Sequence, residues 1–273
     1  MKRMYFLAIM MIISLLPYGI SNGQEIDAKV VIAKMKEALE PSISSTRKLS
    51  FVLKRGDEVI EQWVAREVRK KFPEGKRSLL AILGPKRLKG AAYLVYELET
   101  GKHARYMYSN VLDRVQEIPP LIMADESFLN TDFTYRDLGF IDASGKHRLL
   151  GEEECGGLKA FKVESIPQNQ WLYSRIINWI CKDTLLPIER HFYDVGGNLW
   201  KKQTFGEVVK FAKVPTPSLI QMVDVRSGTS TEFKIADVCY GAILPDDIFE
   251  PSKLSKLLDT SSPYCVLQEF GQK

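Results

Sequence analysis

In Leu158-Lys-Ala-Phe-Lys-Val-Glu-Ser-Ile166, apolar and polar side chains alternate along the chain. Successive side chains of an extended segment point to opposite faces, so Phe161 and Val163 share one face while Lys162 and Glu164 share the other. This period of two predicts a β-strand with one face on an apolar core and the other face in water.

Runs of this kind fill most of the chain. The predicted strands cover residues 48–54, 58–70, 77–83, 91–98, 103–109, 111–118, 146–153, 158–166, 172–181, 186–194, 199–210, 219–226 and 231–238. Short turns separate most of them, such as Arg55-Gly-Asp57 and Gly196-Gly-Asn198. Because such connections cannot contain a crossover helix, the sequence predicts a mainly β protein built on an antiparallel sheet.

A single amphipathic helix is predicted before the first strand. Apolar residues of segment 27–39 recur near a period of 3.6, with Asp27 available as the N-cap and Pro41 just beyond the end. After Pro41 the period changes to two.

Two later segments carry signals for short helices. In the connecting stretch 119–144, Thr131 or Asp132 would cap a helix that ends at Gly139. A further helical piece is expected after Pro245, where acidic residues stand near its start.

The N-terminus has the order of a secretory signal peptide. The basic pair Lys2-Arg3 precedes an apolar run over 4–16, which is shorter than the roughly 20 residues of a spanning helix. Small residues lead to a cleavage site after Gly23. We therefore expect residues 1–23 to be removed and residues 24–273 to form one soluble domain.

Composition and charge exclude several classes of protein. The 273 residues are 45% hydrophobic, 26% charged and 10% aromatic, unlike a disordered, collagen-like or polytopic membrane protein. The formal net charge is +4, and basic groups such as Arg66-Glu-Val-Arg-Lys-Lys71 are short and interrupted. We interpret them as solvated strand ends, so nucleic-acid binding is not expected.

Four cysteines permit two disulfides in an exported chain. They contain no Cys-x-x-Cys pair, so no metal site is expected. If the strand over 158–166 pairs with the next strand along the chain, position 158 lies opposite about 181, and Cys155 comes within a few residues of Cys181 in register. This predicts Cys155–Cys181, which leaves Cys239 for Cys265. The alternative is four free thiols.

The sequence lacks the local signatures of common enzymes. No Gly-x-Ser-x-Gly elbow, phosphate-binding loop, dinucleotide fingerprint or His-Glu-x-x-His pair is present. The triplet Glu152-Glu-Glu154 alternates between faces of a strand and does not converge on one substrate. We expect no enzyme and no cofactor, with a hydrolase as the third hypothesis behind two binding proteins.

Two predicted strands are apolar on both faces, over residues 78–83 and 91–96. One explanation is a helix packed on one side and a core on the other. The second explanation is a curved sheet whose concave side forms a lined cavity.

Several motifs resemble the bacterial outer-membrane lipoprotein-sorting protein family, which is LolA/LolB-like. They are Trp63 with Ala65-Arg66, Gly84-Pro85 with Gly90 and Tyr93-Leu-Val95, Ser127-Phe-Leu-Asn-Thr-Asp-Phe-Thr-Tyr-Arg-Asp-Leu138, Trp171-Leu-Tyr-Ser-Arg-Ile-Ile-Asn-Trp179, Leu186-Pro187, Phe192-Tyr-Asp-x-x-Gly-x-Leu-x-Lys201, Met222 and Pro245-Asp-x-x-Phe249. The most specific piece is Thr131-Asp-Phe-Thr-Tyr-x-Asp-Leu138.

This resemblance implies a strongly curved, incompletely closed antiparallel β-barrel with an N-terminal helix and short lid helices. It implies a periplasmic carrier that holds acyl chains of a lipid or lipoprotein in a hydrophobic cavity and transfers them between membranes. Transient membrane contact and an RND-type inner-membrane exporter as partner follow from the same resemblance. The alternative is a periplasmic sensor or regulatory module that binds lipidated or misassembled envelope proteins, which predicts a second domain or an exposed protein-binding surface.

The predicted cavity and lid are assigned to particular residues. The wall residues are Leu80, Ile82, Tyr93, Val95, Tyr106 and Tyr108, and the lid residues are Phe128, Phe133, Tyr135 and Leu138. A register slip of one residue would move each wall residue to the other face of the sheet. The competing interpretation is that these side chains pack on the N-terminal helix as an ordinary core.

Overall fold

The computed structural model describes residues 27–100, 103–119, 126–134, 137, 145–168 and 172–257. The predicted signal peptide and Cys265 lie outside these residues. Within them, no helix has both the length and the apolar character needed to cross a lipid bilayer.

Thirteen strands of the described chain form one antiparallel sheet. They are β1 (Ser45–Arg55), β2 (Glu58–Phe72), β3 (Gly75–Gly84), β4 (Ala92–Leu98), β5 (His103–Ser109), β6 (Arg114–Glu117), β7 (Lys146–Cys155), β8 (Leu158–Ile166), β9 (Arg175–Cys181), β10 (Pro187–Tyr193), β11 (Leu199–Phe211), β12 (Val214–Asp224) and β13 (Thr229–Tyr240). Their order is β6-β5-β4-β3-β2-β1-β13-β12-β11-β10-β9-β8-β7. The predicted mainly β, antiparallel fold is confirmed.

The sheet curls until distant strands share one core. Tyr93 on β4 belongs to the same buried cluster as Phe192 on β10, seven places away in the sheet. At the usual strand spacing, a flat sheet would hold β4 and β10 roughly 34 Å apart. The pair β1–β13 joins the two halves, and β6 and β7 are the edges, so the barrel is not closed.

One α-helix, α1 (Ala28–Leu39), packs on the inner side of the sheet. The Asp27 side chain accepts a hydrogen bond from Lys29 N at 2.8 Å, which confirms the predicted N-cap. The apolar stripe that includes Ile32 and Met35 is buried against β8 and β9 rather than against the doubly apolar strands. The helix therefore covers the wall of the barrel opposite the doubly apolar strands.

The two doubly apolar strands are β3 and β4, and each face has its own cover. Leu79 and Leu94 point outward, where the C-terminal 3₁₀ helices Asp246–Phe249 and Pro251–Lys256 bury them. The opposite faces of both strands belong to the inner cluster. Both explanations for the apolar faces therefore apply, each to one face. The outer face is covered by short C-terminal helices rather than by the N-terminal helix, and the inner face lines the interior of the curved sheet.

The prediction of a helix capped by Thr131 or Asp132 is wrong for the described residues. A 3₁₀ helix, Phe128–Asn130, precedes these positions, and residues 131–134 are not helical. The reason is that the side chain of Asp132 accepts hydrogen bonds from β13 rather than from the start of a helix. The helical piece predicted after Pro245 is confirmed.

The predicted Cys155–Cys181 disulfide is also wrong, because both residues are free thiols. Cys155 lies opposite Leu158, and Cys181 lies opposite Ala160. Strand β8 therefore runs between the two cysteines, which separates their Cα atoms by about 10 Å, beyond the reach of a disulfide. Cys239 is a free thiol as well, and its predicted partner Cys265 lies outside the described residues.

Candidate functional site

The interior of the barrel contains a cavity of about 110 Å³. Since one water molecule needs about 10–15 Å³ of such space, it has room for roughly eight waters. Six of its apolar lining residues are Leu49, Phe51, Phe205, Ile220, Phe233 and Ile235. The mouth includes Pro41, Ser42 and Ile43, which follow the end of α1.

Six of the predicted cavity and lid residues lie on the inner side of the barrel. Leu80, Tyr93, Val95 and Phe133 line the cavity. Ile82 and Phe128 belong to the same inner cluster, outside the cavity lining. Tyr135 and Leu138 fall outside the described residues.

The placement of Tyr106 and Tyr108 in the cavity wall is wrong. Tyr106 lies opposite Leu94 and Tyr108 lies opposite Ala92. Residues directly opposite in an antiparallel pair share a face, so both tyrosines pack on the outer cluster with the C-terminal 3₁₀ helices. In β5, Ala104 and the two tyrosines alternate with His103 and Arg105, but this alternation does not say which face turns inward.

One end of the cavity is filled by the segment 126–134, which we call the plug. Backbone N of Phe128 donates to O of Phe133 at 2.7 Å and closes the plug into a compact loop. The Phe128 ring lies 5.5 Å from the Trp63 ring and 5.8 Å from the Tyr93 ring, measured between centroids. Because the Phe133 ring also lies 6.3 Å from the Phe233 ring on β13, the plug inserts aromatic side chains between β2–β4 and the facing wall.

Asp132 anchors the plug to β13. Its carboxylate accepts hydrogen bonds from the hydroxyls of Thr229 and Thr231, the latter at 2.7 Å. In return, Asp132 N donates to Thr231 Oγ1 at 2.9 Å. These bonds give a structural reason for the Thr-Asp-Phe-Thr part of the motif that carried the family resemblance.

A second anchor lies at Asp137. Its carboxylate accepts hydrogen bonds from Tyr173 Oη at 3.0 Å and from Thr134 N at 2.8 Å. Lys201 on β11 approaches the same carboxylate at 3.5 Å and donates to the carbonyl of Asp132 at 2.6 Å. The plug is thus held from β11 and β13 by buried polar groups.

We expect Asp132→Ala to lower the free energy of unfolding by about 1–3 kcal/mol, because it leaves two threonine hydroxyls without their acceptor. Asp57→Ala, on the exposed β1–β2 turn, is the matched control and should change it by less than about 0.5 kcal/mol. Urea denaturation of both variants measures the effect. Equal stabilities would show that the plug is held by its phenylalanines alone.

Near the mouth, the cavity lining becomes charged. Glu67 pairs with Arg47 and lies 2.9 Å from Arg69, whose Nη1 is 3.8 Å from Glu40. Burial acts to raise the pKa of Glu67, but the two guanidinium groups outweigh it and hold that pKa below its ordinary value. For Glu40, burial dominates and raises the pKa despite Arg69.

This charged cluster corrects the interpretation of segment 66–71 as a solvated strand end. Glu67 is buried, and it shares the inner face of β2 with Arg69. Lys76 Nζ donates to the carbonyl of Glu40 at 2.8 Å and ties the end of α1 to β3. Charged residues therefore form the polar end of the cavity.

Arg190 on β10 is a further buried charge that the sequence did not reveal. It is 7% exposed and lines the cavity. Its Nη1 lies 3.5 Å from Gln203 Oε1, and its guanidinium lies 5.0 Å from the Phe205 ring centroid. Burial lowers the pKa of Arg190 to about 10, although Glu40 and Asp137 act in the opposite direction. Arg190 therefore remains cationic near neutral pH.

Sequence reasoning also missed the wall contributed by β1 and β11–β13. Alternating apolar residues such as Phe205, Ile220 and Phe233 were visible in those strands. The missing information was the pairing of β1 with β13, which brings these faces opposite β3 and β4. In the described part of the chain, no group of three or more His, Cys, Asp or Glu side chains is arranged to hold a metal ion.

Comparison with known proteins places the chain in a protein family. Residues 74–256 match a protein-family model that carries the description "Uncharacterized protein". The chain belongs to this family. No curated protein matches its sequence.

Three solved structures share the fold over most of their length. An outer-membrane lipoprotein-sorting protein domain from Vibrio parahaemolyticus has a TM-score of 0.77 and 23% identity, covering 84% of this chain and 98% of that one. A DUF1329 family protein from Desulfovibrio piger has a TM-score of 0.76 and 24% identity, covering 83% and 97%. A LolA superfamily protein from Nitrosomonas europaea has a TM-score of 0.67 and 17% identity, covering 82% and 98%.

These likenesses confirm the LolA-like fold expected from the sequence motifs. The described residues form an incompletely closed antiparallel barrel with few helices, a fold similar to that of the lipoprotein-sorting domain and the LolA superfamily protein. At these identities the likeness concerns the fold, since function depends on the residues of the site.

Proposed function

We propose that the protein is a carrier that holds an acyl chain of a lipid or lipoprotein inside the barrel and transfers it between membranes. The observation that supports this most directly is the apolar cavity, whose walls include Leu80, Tyr93, Ile220 and Phe233. An apolar wall with a charged mouth suits an amphiphile, because the chain and the headgroup each meet matching surroundings.

Burial of the chain supplies the binding free energy. Each buried methylene contributes about 0.8 kcal/mol. A ligand that buries roughly eight methylenes of its acyl chain therefore gains about 6 kcal/mol before the cost of association. No directed chemistry is needed for this step. A cavity of 110 Å³ suits a single chain of limited length, which makes single-chain amphiphiles the appropriate probes.

The open barrel supports exchange of the chain. Strands β6 and β7 are the edges of the described sheet, so the two walls can separate without breaking a pair of strands. Residues 24–273 act as one domain in this proposal. Its periplasmic location rests on the predicted signal peptide, and its partner is an RND-type exporter of the inner membrane, as the family resemblance implies.

A matched pair of substitutions tests the cavity. Tyr93 lines it, whereas Tyr108 lies on the outer face of the neighbouring strand β5. With 11-dansylamino-undecanoate as a fluorescent probe, we expect Tyr93→Glu to weaken binding at least about tenfold, because a carboxylate repels the chain and the carboxylate of the probe. Tyr108→Glu should keep the wild-type affinity within about twofold.

Thermal unfolding of both variants separates binding from folding. A charge on a cavity wall reaches water at the mouth, so Tyr93→Glu should remain folded with a limited loss of stability. A wild-type protein that binds no probe would reject the carrier proposal. So would equal binding by the two variants, because the chain would then lie outside the cavity.

A further inference from the structure

Arg190 differs from three other cations of the barrel interior. Arg47 and Arg69 share the carboxylate of Glu67, and Lys201 approaches that of Asp137. Among the described residues, no carboxylate lies within 4.0 Å of the Arg190 guanidinium, and its Nε has no hydrogen-bond partner. A full positive charge is therefore buried on the cavity wall without a direct counter-ion.

The surroundings of Arg190 are mostly apolar. Its Nη2 lies 3.9 Å from the sulfur of Met35 on α1, and the Phe205 ring lies beside the guanidinium. Apart from this weak contact with sulfur, the hydrogen bond of the group within the described chain is the long one to Gln203 Oε1. Taking a charge out of water into such surroundings is unfavourable unless an opposite charge is supplied.

The nearby carboxylates are committed to other groups. Glu40 faces Arg69, and Asp137 accepts hydrogen bonds from Tyr173 and Thr134. Both act on Arg190 only over a longer distance. No described carboxylate is therefore in direct contact with Arg190, and its side chain lines the cavity.

We propose that Arg190 and Gln203 form the headgroup site of the cavity and bind the carboxylate or phosphate of an anionic single-chain amphiphile. The planar guanidinium offers two parallel donors to such a group, and the Gln203 amide nitrogen offers a third. The chain then runs past Phe205 along Ile220 and Phe233. This inference rests on the proposed function and specifies the class of ligand.

Calorimetric titration with four kinds of ligand tests the site. The ligands are decanoate, decyl phosphate, neutral 1-decanol and the free anions acetate and inorganic phosphate. We expect the wild-type protein to bind at least one decyl anion about ten- to hundredfold more tightly than 1-decanol, the range for hydrogen bonds to a charged group. Which anion binds better distinguishes a carboxylate headgroup from a phosphate headgroup.

Arg190→Met should lower the affinity for the anion to that for 1-decanol and leave binding of 1-decanol within about twofold. Arg190→Lys should retain a preference for the anion. The control Arg226→Met, which removes an exposed arginine that pairs with Asp194, should behave as wild type. Arg190→Met should also raise Tm by about 2–4 °C, because it removes a buried charge without a counter-ion. A purely structural arginine would give a lower Tm.

The outcomes separate this inference from the carrier proposal. Equal affinity of the wild type for decanoate, decyl phosphate and 1-decanol would overturn the headgroup site and leave the acyl cavity intact. Free phosphate or acetate that binds as tightly as the decyl anions would also overturn it, because the chain would then play no part. Failure of all three decyl ligands to bind would reject both proposals.

Discussion

Replacing Glu67 with Gln is expected to lower the free energy of unfolding by about 3–5 kcal/mol at neutral pH, because it breaks a buried ion cluster by removing its central anion. Arg47 would then be buried without its partner, and Arg69 would keep only the more distant Glu40. Glu58→Gln is the matched control, since Glu58 is exposed on the same strand β2. The control should shift stability by less than about 0.5 kcal/mol.

The effect of Glu67→Gln should depend on pH in a definite direction. The pKa of Glu67 is lowered from its ordinary value of 4.5 in the folded protein. A lowered pKa stabilises the fold fully above 4.5, and this stabilisation is lost as pH falls through the folded-state pKa. The difference between wild type and Glu67→Gln should therefore be constant near neutral pH and shrink in acid.

Urea denaturation at a series of pH values measures this difference. Burial raises the pKa of Glu40, which adds its own pH dependence, but Glu40 is present in both proteins and largely cancels in the difference. A difference that stays unchanged in strong acid would show that the ionised carboxylate of Glu67 does not hold the mouth together. A stability equal to that of Glu58→Gln would show the same.

Phe128→Ala is expected to lower the free energy of unfolding by about 3–5 kcal/mol, the range for truncation of a buried phenylalanine. Phe128 is 2% exposed, and its ring packs against those of Trp63 on β2 and Tyr93 on β4. Loss of the ring leaves a cavity that the plug cannot close by collapse, since Asp132 fixes its position on β13.

The control for this change is Leu112→Ala, which truncates an apolar side chain that is 56% exposed. It should alter stability by less than about 0.5 kcal/mol. Urea denaturation with unchanged slopes checks both values. A loss below about 1 kcal/mol for Phe128→Ala would mean that the plug packs loosely in solution and moves as a lid.

Local sequence signals predicted the elements of this fold but not its closure. The alternation of apolar residues and the short turns indicated hairpins, and Asp27 marked the start of α1. The pair β1–β13 joins residues as distant as Phe51 and Phe233, and no turn sequence connects them. Only the side-chain packing of the whole barrel specifies such a long-range pair.

The sequence also left open the exact register of paired strands and the face of the sheet on which some side chains lie. We expected position 158 to lie opposite about 181, whereas Ala160 occupies that place. An offset of two residues keeps each side chain on its face, but it shifts Cys155 along the sheet from Cys181. In β5 the sequence did not show which face the tyrosines occupy, because each carries both an apolar ring and a hydroxyl and suits either face.

The burial of two charged residues could not be predicted from the sequence for a different reason. Glu67 stands in a run of charged residues, and Arg190 stands between Glu189 and His191. A charged residue within a charged run is normally solvated, and only the curl of the sheet turns alternate members of the run inward. The charged part of the lining therefore gave no signal in the pattern of hydrophobicity.

Photocrosslinking determines whether an acyl chain lies inside the barrel. Dodecanoate with a diazirine at the end of its chain is irradiated with the wild-type protein, and the crosslinked residues are mapped by mass spectrometry. We predict crosslinks on the inner faces of β12 and β13, near Ile220 and Phe233, that excess unlabelled dodecanoate suppresses. Crosslinks confined to outer-face residues such as Tyr106, or unaffected by the competitor, would show that the barrel interior does not bind the acyl chain.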